Sequence, residues 1–143
     1  IKNKLDFHLF IIGEGHLRRE IENLIVKKDL TNIITLLGNI NNPYKFMAKA
    51  DLFILSSKKE GLPGVLIEAL LCGAQVISTD CKYGPAEILN NGKYGNLVKK
   101  ENPAHLAKGI LDQILNPKIY DINEIKLKYD INKIFLKYKK LFI

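Results

Sequence analysis

Apolar runs with strand character alternate with helix-like segments along most of the chain, joined by links of only a few residues. That order admits few architectures, because strands connected through crossover helices form a parallel sheet covered on both faces. The predicted strands are Phe7 to Ile12, Ile33 to Leu37, Leu52 to Leu55, Gln75 to Thr79 and Gly95 to Val98. Between them, Leu17, Ile21, Leu24 and Ile25 recur at helical spacing. Asn42-Pro43 and Asn102-Pro103 each place a capping side chain before a proline at the first helical position. The helix from Asn42-Pro43 is expected to run to about Ala50, and Pro117 to end the one from Asn102-Pro103. A helix reaching Cys72 is stopped by Gly73, and Pro85 to Leu89 reads as a short helix. Ile131, Ile134, Phe135, Tyr138, Leu141 and Phe142 predict a last amphipathic helix.

The 143 residues suit one domain with a real core, and 47% hydrophobic with 26% charged residues is the composition of a soluble globular protein. No apolar run approaches the ~20 residues that span a bilayer. The opening Ile1-Lys2-Asn3-Lys4 does not begin a secretion signal. Cys72 and Cys81, without a histidine cluster or a Cys-x-x-Cys motif, do not make a zinc site, and the expected compartment is the cytoplasm. Cys72 is expected to be a small core residue. The net charge of +7 is concentrated in Lys126, Lys128, Lys133, Lys137, Lys139 and Lys140, against Asp130 alone. The remainder is nearly neutral, which argues against a nucleic-acid partner.

Ligands of parallel sheets bind beyond the carboxyl ends of the strands, so chemistry is sought in the loops after Ile12, Leu37, Leu55 and Thr79. The informative stretch is Glu60-Gly61-Leu62-Pro63-Gly64-Val65-Leu66-Ile67-Glu68-Ala69-Leu70. It follows a predicted strand and opens a helix, whose free amides and dipole favour a phosphate group. Gly61 and Gly64 allow a ligand close to the backbone. Glu68 stands among apolar neighbours and is expected to be buried, where a carboxylate needs partners. Two partners fit: the hydroxyls of a ribose next to a diphosphate, or a structural ion pair or loop amide.

The spacing from Glu60 to Glu68 resembles the E-x7-E motif of retaining GT-B glycosyltransferases, in the family four-like group that holds many lipopolysaccharide, capsule and mannosyl transferases. Further blocks fall in that family's order: Gly13-Glu14-Gly15, Ala50 to Ser57, Gly73 to Asp80, Gly84-Pro85-Ala86-Glu87-Ile88, and Tyr138 to Phe142. The resemblance implies an α/β, Rossmann-like half of a GT-B fold. It implies a nucleotide-sugar-binding domain over residues 1–120 and a basic amphipathic C-terminal helix over residues 121–143. Glu60 is then the catalytic residue, touching hydroxyls of the donor sugar, and Glu68 holds the ribose. The amides from Leu62 through Pro63 and Gly64 to Val65, with Gly61, hold the diphosphate, and the base lies near Leu37-Gly38-Asn39. No cofactor or divalent metal is implied, and a UDP-sugar is the expected donor.

Family members usually carry an arginine and a lysine for the diphosphate on the first strand and helix of this domain. This chain is expected to begin at the next strand, as a piece lacking the acceptor-binding N-terminal domain. Arg18 and Arg19 stand in a different block. Glycan or lipid-linked acceptors are thus expected to reach it through that other domain, in cell-surface polysaccharide biosynthesis. Other readings fit less well. Gly13-x-Gly15 has Arg18 where a nicotinamide-binding motif needs glycine. Asp80 lacks the acidic pair of a receiver domain, and no Schiff-base lysine marks a phosphorylase. A sugar-nucleotide epimerase, or a fragment that only binds nucleotide, remains as the alternative. The last helix has two readings: it packs on protein, or its lysines face anionic lipid at the inner face of the cytoplasmic membrane.

Overall fold

The computed structural model describes residues 6–139. Their contacts divide the chain into two compact units, Ile1–Pro43 and Tyr44–Ile143.

In the first unit, strand β1 (Leu9–Ile12), helix α1 (Arg18–Lys27) and strand β2 (Ile34–Gly38) follow the predicted order. β1 and β2 pair in parallel, Leu9 opposite Ile34, with a register shift between Ile11 and Ile12. The Gly13 N–H closes the ladder on the Gly38 carbonyl at 2.8 Å. Ile25 of α1 is buried, whereas Phe10, Leu24 and Val26 are exposed.

The second unit contains α2 (Tyr44–Met47), β3 (Phe53–Leu55), α3 (Gly64–Leu71), β4 (Val76–Thr79), α4 (Pro85–Ile88), β5 (Asn96–Val98), α5 (Pro103–Leu115), α6 (Ile122–Lys128) and α7 (Ile131–Lys139). Its sheet has the order β3-β4-β5, parallel throughout. All of β4 is buried, as expected of a strand flanked on both sides and covered on both faces. Successive strand residues point to opposite faces. Val76 joins the core with Leu66, Ala69 and Leu70 of α3, while Ile77 meets α5 at Gly109. The predicted two-sided covering is therefore present in this unit.

Two predicted elements differ. α2 is a single turn rather than a helix to Ala50: the Ala48 N–H still reaches Tyr44 at 2.8 Å, but Lys49 and Ala50 bond only three residues back. The C-terminal segment holds two helices. Asp130 receives the Asn132 and Lys133 N–H groups at 2.8 and 3.1 Å, which starts α7 as a separate helix. α6 lies in the stretch over residues 121–143 expected from the sequence to be one helix; it buries Ile125 completely and packs on α3. Leu141, Phe142 and Lys140, like the opening Ile1-Lys2-Asn3-Lys4, lie outside the described residues. Among the described residues, no helix is long and apolar enough to cross a membrane.

The segment after α5 is tied to the foot of β4 by Gln75. Its Oε1 accepts from Gln113 Nε2 and from the Lys118 N–H, both at 2.7 Å, and its Nε2 donates to the Lys118 carbonyl at 3.0 Å. Gln113 is fully buried. Gln75→Leu would leave two donors without that acceptor in a dry setting, an arrangement that costs about 1–3 kcal/mol. Urea unfolding of Gln75→Leu against the native chain measures the loss. A change below about 0.5 kcal/mol would mean that the network is dispensable.

Candidate functional site

The strands of the second unit are parallel, so their carboxyl ends share one edge, and the segments following β3, β4 and β5 emerge there. An ion pair across this edge, Lys58 Nζ to Glu101 Oε1 at 3.1 Å, joins the loop after β3 to the turn after β5. α3 starts after an eight-residue loop from the end of β3, with its N-terminus at the same edge.

What distinguishes α3 is how it begins. Its N-cap is Pro63, and no side chain caps it. The Leu66 N–H turns back to the Pro63 carbonyl at 3.0 Å. Gly64 and Val65, earlier still, have no intrahelical acceptor for their N–H groups. Pro63 lies inside the amide range expected from the sequence but has no N–H, so the donors there reduce to Leu62, Gly64 and Val65. The helix dipole adds positive potential at this end.

Gly61 and Gly64 are exposed, and a Cβ at either position would meet no atom within 4 Å. The fold itself does not require glycine at these two positions. Leu62, between them in sequence, is 59% exposed, while Pro63 is buried and Val65 half-buried.

Glu60 lies in the loop and Glu68 in the second turn of α3. Both are half-buried. The expectation that Glu68 is buried is corrected here: only the stripe of Leu66, Ala69 and Leu70 enters the core, and Glu68 lies beside it. The structural ion pair weighed for Glu68 is not formed among the described residues, where neither glutamate side chain has a hydrogen-bond or salt-bridge partner; the Glu68 carbonyl accepts the helical Cys72 N–H at 2.9 Å.

Gly38 and Asn39 belong to the first unit. Gly38 is buried at the end of β2, and a Cβ there would lie 2.5 Å from Glu14 Oε1. Asn39 is exposed. Glu14 pairs with Arg18, which also donates to Glu22 at 2.9 Å. The hydrogen bond that Arg18 donates to Glu22, followed by the charge of Glu14, raises the Arg18 pKa. Two of the three histidines have structural bonds: His8 Nε2 with Thr35 Oγ1 at 2.8 Å, and His105 Nδ1 accepting from the Lys99 N–H at 3.0 Å. No cluster of three metal-ligating side chains occurs among the described residues.

Sequence reasoning missed the residues that hold the loop before α3. Thr79 Oγ1 donates to the Ser57 carbonyl at 2.6 Å, and Cys81 Sγ donates to the same oxygen at 3.0 Å. Gly84, with φ +86°, backs directly onto Gly61 and Pro63. Such contacts span more than twenty residues of sequence and leave no local pattern. Thr79 and Gly84 stand in the family blocks Gly73 to Asp80 and Gly84 to Ile88, where the sequence assigns them no role, and Cys81 stands in neither.

Residues 1–126 match the family described as glycosyl transferases, group 1. The chain is 38% identical over 125 residues to the N-acetylgalactosamine-N,N'-diacetylbacillosaminyl-diphospho-undecaprenol 4-alpha-N-acetylgalactosaminyltransferase of Campylobacter jejuni, covering 87% of this chain and 34% of that protein. Among solved structures it resembles a point mutant of S. aureus TarM in complex with fondaparinux, alpha-GlcNAc-glycerol and UDP. The TM-score there is 0.86 and the identity 28%, over 99% of this chain and 30% of that one. Anabaena HepE in complex with UDP gives a TM-score of 0.84 at 22% identity, over 95% and 40% of the two chains, a likeness of fold. The fold is α/β and Rossmann-like. The chain spans between 11% and 34% of the length of such curated relatives.

A half-buried carboxylate without a partner adds nothing to the fold. Glu68→Gln is therefore expected to leave the unfolding free energy within about 0.5 kcal/mol of the native value. A loss above about 1 kcal/mol in denaturant unfolding would restore the structural ion-pair reading.

Proposed function

Because the chain belongs to the group 1 glycosyl transferases, as the C-terminal domain of their GT-B fold, we propose that it binds the nucleotide-diphosphate sugar of a retaining transfer to a glycan or lipid-linked acceptor. The observation that carries this reading is the start of α3. An uncapped helix end with two open glycines stands beside two half-buried carboxylates that have no described partner.

The chemistry follows from those parts. A diphosphate accepts hydrogen bonds from the Leu62, Gly64 and Val65 amides and gains from the positive helix end. Glu68 lies four residues past Gly64, about 6 Å along the axis, close enough for its carboxylate to accept both hydroxyls of a ribose. Glu60, in the preceding loop, accepts hydroxyls of the donor sugar. As the glycosidic bond to the diphosphate breaks, negative charge grows on the leaving phosphate, where aimed amides stabilise it most. UDP is the nucleotide we assign, supported by its presence in the TarM complex at 28% identity. The reaction is assigned no resident metal, and transfer in the whole enzyme is expected to survive chelation by EDTA.

The acceptor is assigned to a domain outside these 143 residues, and the work to cell-surface polysaccharide synthesis at the inner face of the cytoplasmic membrane. The diphospho-undecaprenol in the name of the C. jejuni relative supports a lipid-linked acceptor. α7 supports membrane proximity: Ile131, Phe135 and Leu136 are 74%, 64% and 56% exposed, on a helix that also bears Lys133 and Lys139. Each lysine near anionic lipid contributes about 1 kcal/mol, and salt screens it. Sedimentation with phosphatidylglycerol vesicles is expected to show weak binding that disappears in high salt. Binding that persists in high salt would show apolar insertion instead of this electrostatic contact.

The two glutamates are expected to separate in calorimetry. Glu68→Ala weakens UDP and UDP-sugar alike, by about 1.5–3 kcal/mol, as for hydrogen bonds to a charged group. Glu60→Ala leaves UDP binding nearly unchanged and, in the whole enzyme, lowers transfer far more than donor binding, because its contacts tighten in the transition state. Equal losses of UDP affinity in both variants would contradict this division of roles.

A further inference from the structure

The loop from Ser56 to Pro63 carries Glu60 and the first of the amides assigned to the diphosphate, yet it has no regular structure of its own. Loops of this kind are held by whatever packs around them; besides the exposed Lys58–Glu101 ion pair, the contacts here come from the end of β4 and the connection that leads from it to α4. They grip the loop at both ends. At the near end, two buried donors, Thr79 Oγ1 and Cys81 Sγ, converge on the single carbonyl oxygen of Ser57, at 2.6 and 3.0 Å. Thr79 Oγ1 also lies 3.4 Å from the Leu55 carbonyl, where β3 ends. At the far end, the Gly84 backbone leaves no room for a side chain: a Cβ there would collide with the Gly61 carbonyl oxygen and lie 2.5 Å from Pro63 Cδ. Gly84 also has φ +86°, a conformation that side-chain-bearing residues rarely adopt.

These three contacts differ from core packing in where they fall. Ser57, Gly61 and Pro63 bracket Glu60, and Pro63 is the residue from which α3 starts. Gly61 and Gly64, the residues facing solvent, have open space around them, whereas Gly84 is tight against the loop's back. We propose that the end of β4 and the β4–α4 connection position the donor loop, with Thr79, Cys81 and Gly84 as positioning residues that set where Glu60 and the amides before α3 stand. This rests on the donor-binding reading above. Its physical basis is preorganisation: a loop already held in its binding shape loses less freedom when the ligand arrives. None of the three residues needs to touch the nucleotide.

Titration calorimetry of the chain with UDP, alongside thermal melts, tests the inference. Thr79→Val keeps the side-chain shape and removes the hydroxyl, and is expected to weaken UDP binding about three- to tenfold. Thr79→Ser retains the donor and restores the native affinity. Gly84→Ala is expected to weaken binding at least as much, since its Cβ must displace Gly61 or Pro63. Should Thr79→Val fail to fold, Cys81→Ala against Cys81→Ser makes the same comparison at the same carbonyl. A Thr79→Val chain that melts earlier but binds UDP with native affinity overturns the inference, because the bonds to Ser57 then serve stability alone. A native chain that takes up no UDP overturns the donor-binding reading, and the inference with it, before any variant is compared.

Discussion

Leu66, Ala69 and Leu70 of α3 are completely buried, and they meet Val76 of the central strand, Ile88 and Leu89 at α4, and Ile125 of α6. Burial of a leucine-sized side chain contributes about 1.5–3 kcal/mol, so this one stripe is a major source of stability in the second unit. It also fixes the orientation of α3. A short helix held by one buried face has little freedom to rotate, and the direction of its N-terminus follows. The helix end is further secured at the other terminus, where the Tyr120 hydroxyl lies 3.2 Å from the Leu70 carbonyl and 3.0 Å from that of Ala74. Burial raises the Tyr120 pKa, consistent with a hydroxyl kept neutral in that position.

The site is therefore built on a contrast within α3. The side bearing Leu66, Ala69 and Leu70 is saturated with protein contacts, while the Gly64 and Val65 N–H groups and the carboxylate of Glu68 have no hydrogen-bond partner among the described residues. Stability and ligand contact are assigned to different residues of the same eight-residue helix. The loop before it follows the same division: its back is pressed against Gly84 and bonded by Thr79 and Cys81, and its glycines face solvent.

Most of this architecture is legible in the sequence because the signals are local. Asn102 accepts from the His105 N–H at 2.9 Å and Pro103 opens α5, as the cap-plus-proline pattern predicts. Gly73, with φ +82°, follows α3 where the helix was expected to stop. The limits are equally physical. Glu68 is expected to be buried because its neighbours are apolar nearly all round, but a sequence does not reveal which side of a short apolar helix meets the sheet. α6 is only seven residues long with Ile125 its sole buried residue, too little for a periodic signal. Asn42-Pro43 carries the same start signal as Asn102-Pro103, yet α2 is one turn, since a cap marks a beginning and not a length. The grip of the end of β4 and the β4–α4 connection is formed between residues far apart in sequence, where no periodicity exists to be read.

The central claim, that the start of α3 holds a nucleotide diphosphate through its backbone, can be tested at single-residue level. Proton–nitrogen correlation spectra of the labelled chain, recorded during titration with UDP, report each amide separately. The account predicts that the Leu62, Gly64 and Val65 amides move most and saturate together, and that Glu68→Ala shifts the titration to higher UDP concentration. Saturable binding that perturbs other amides while leaving these three unmoved would contradict it.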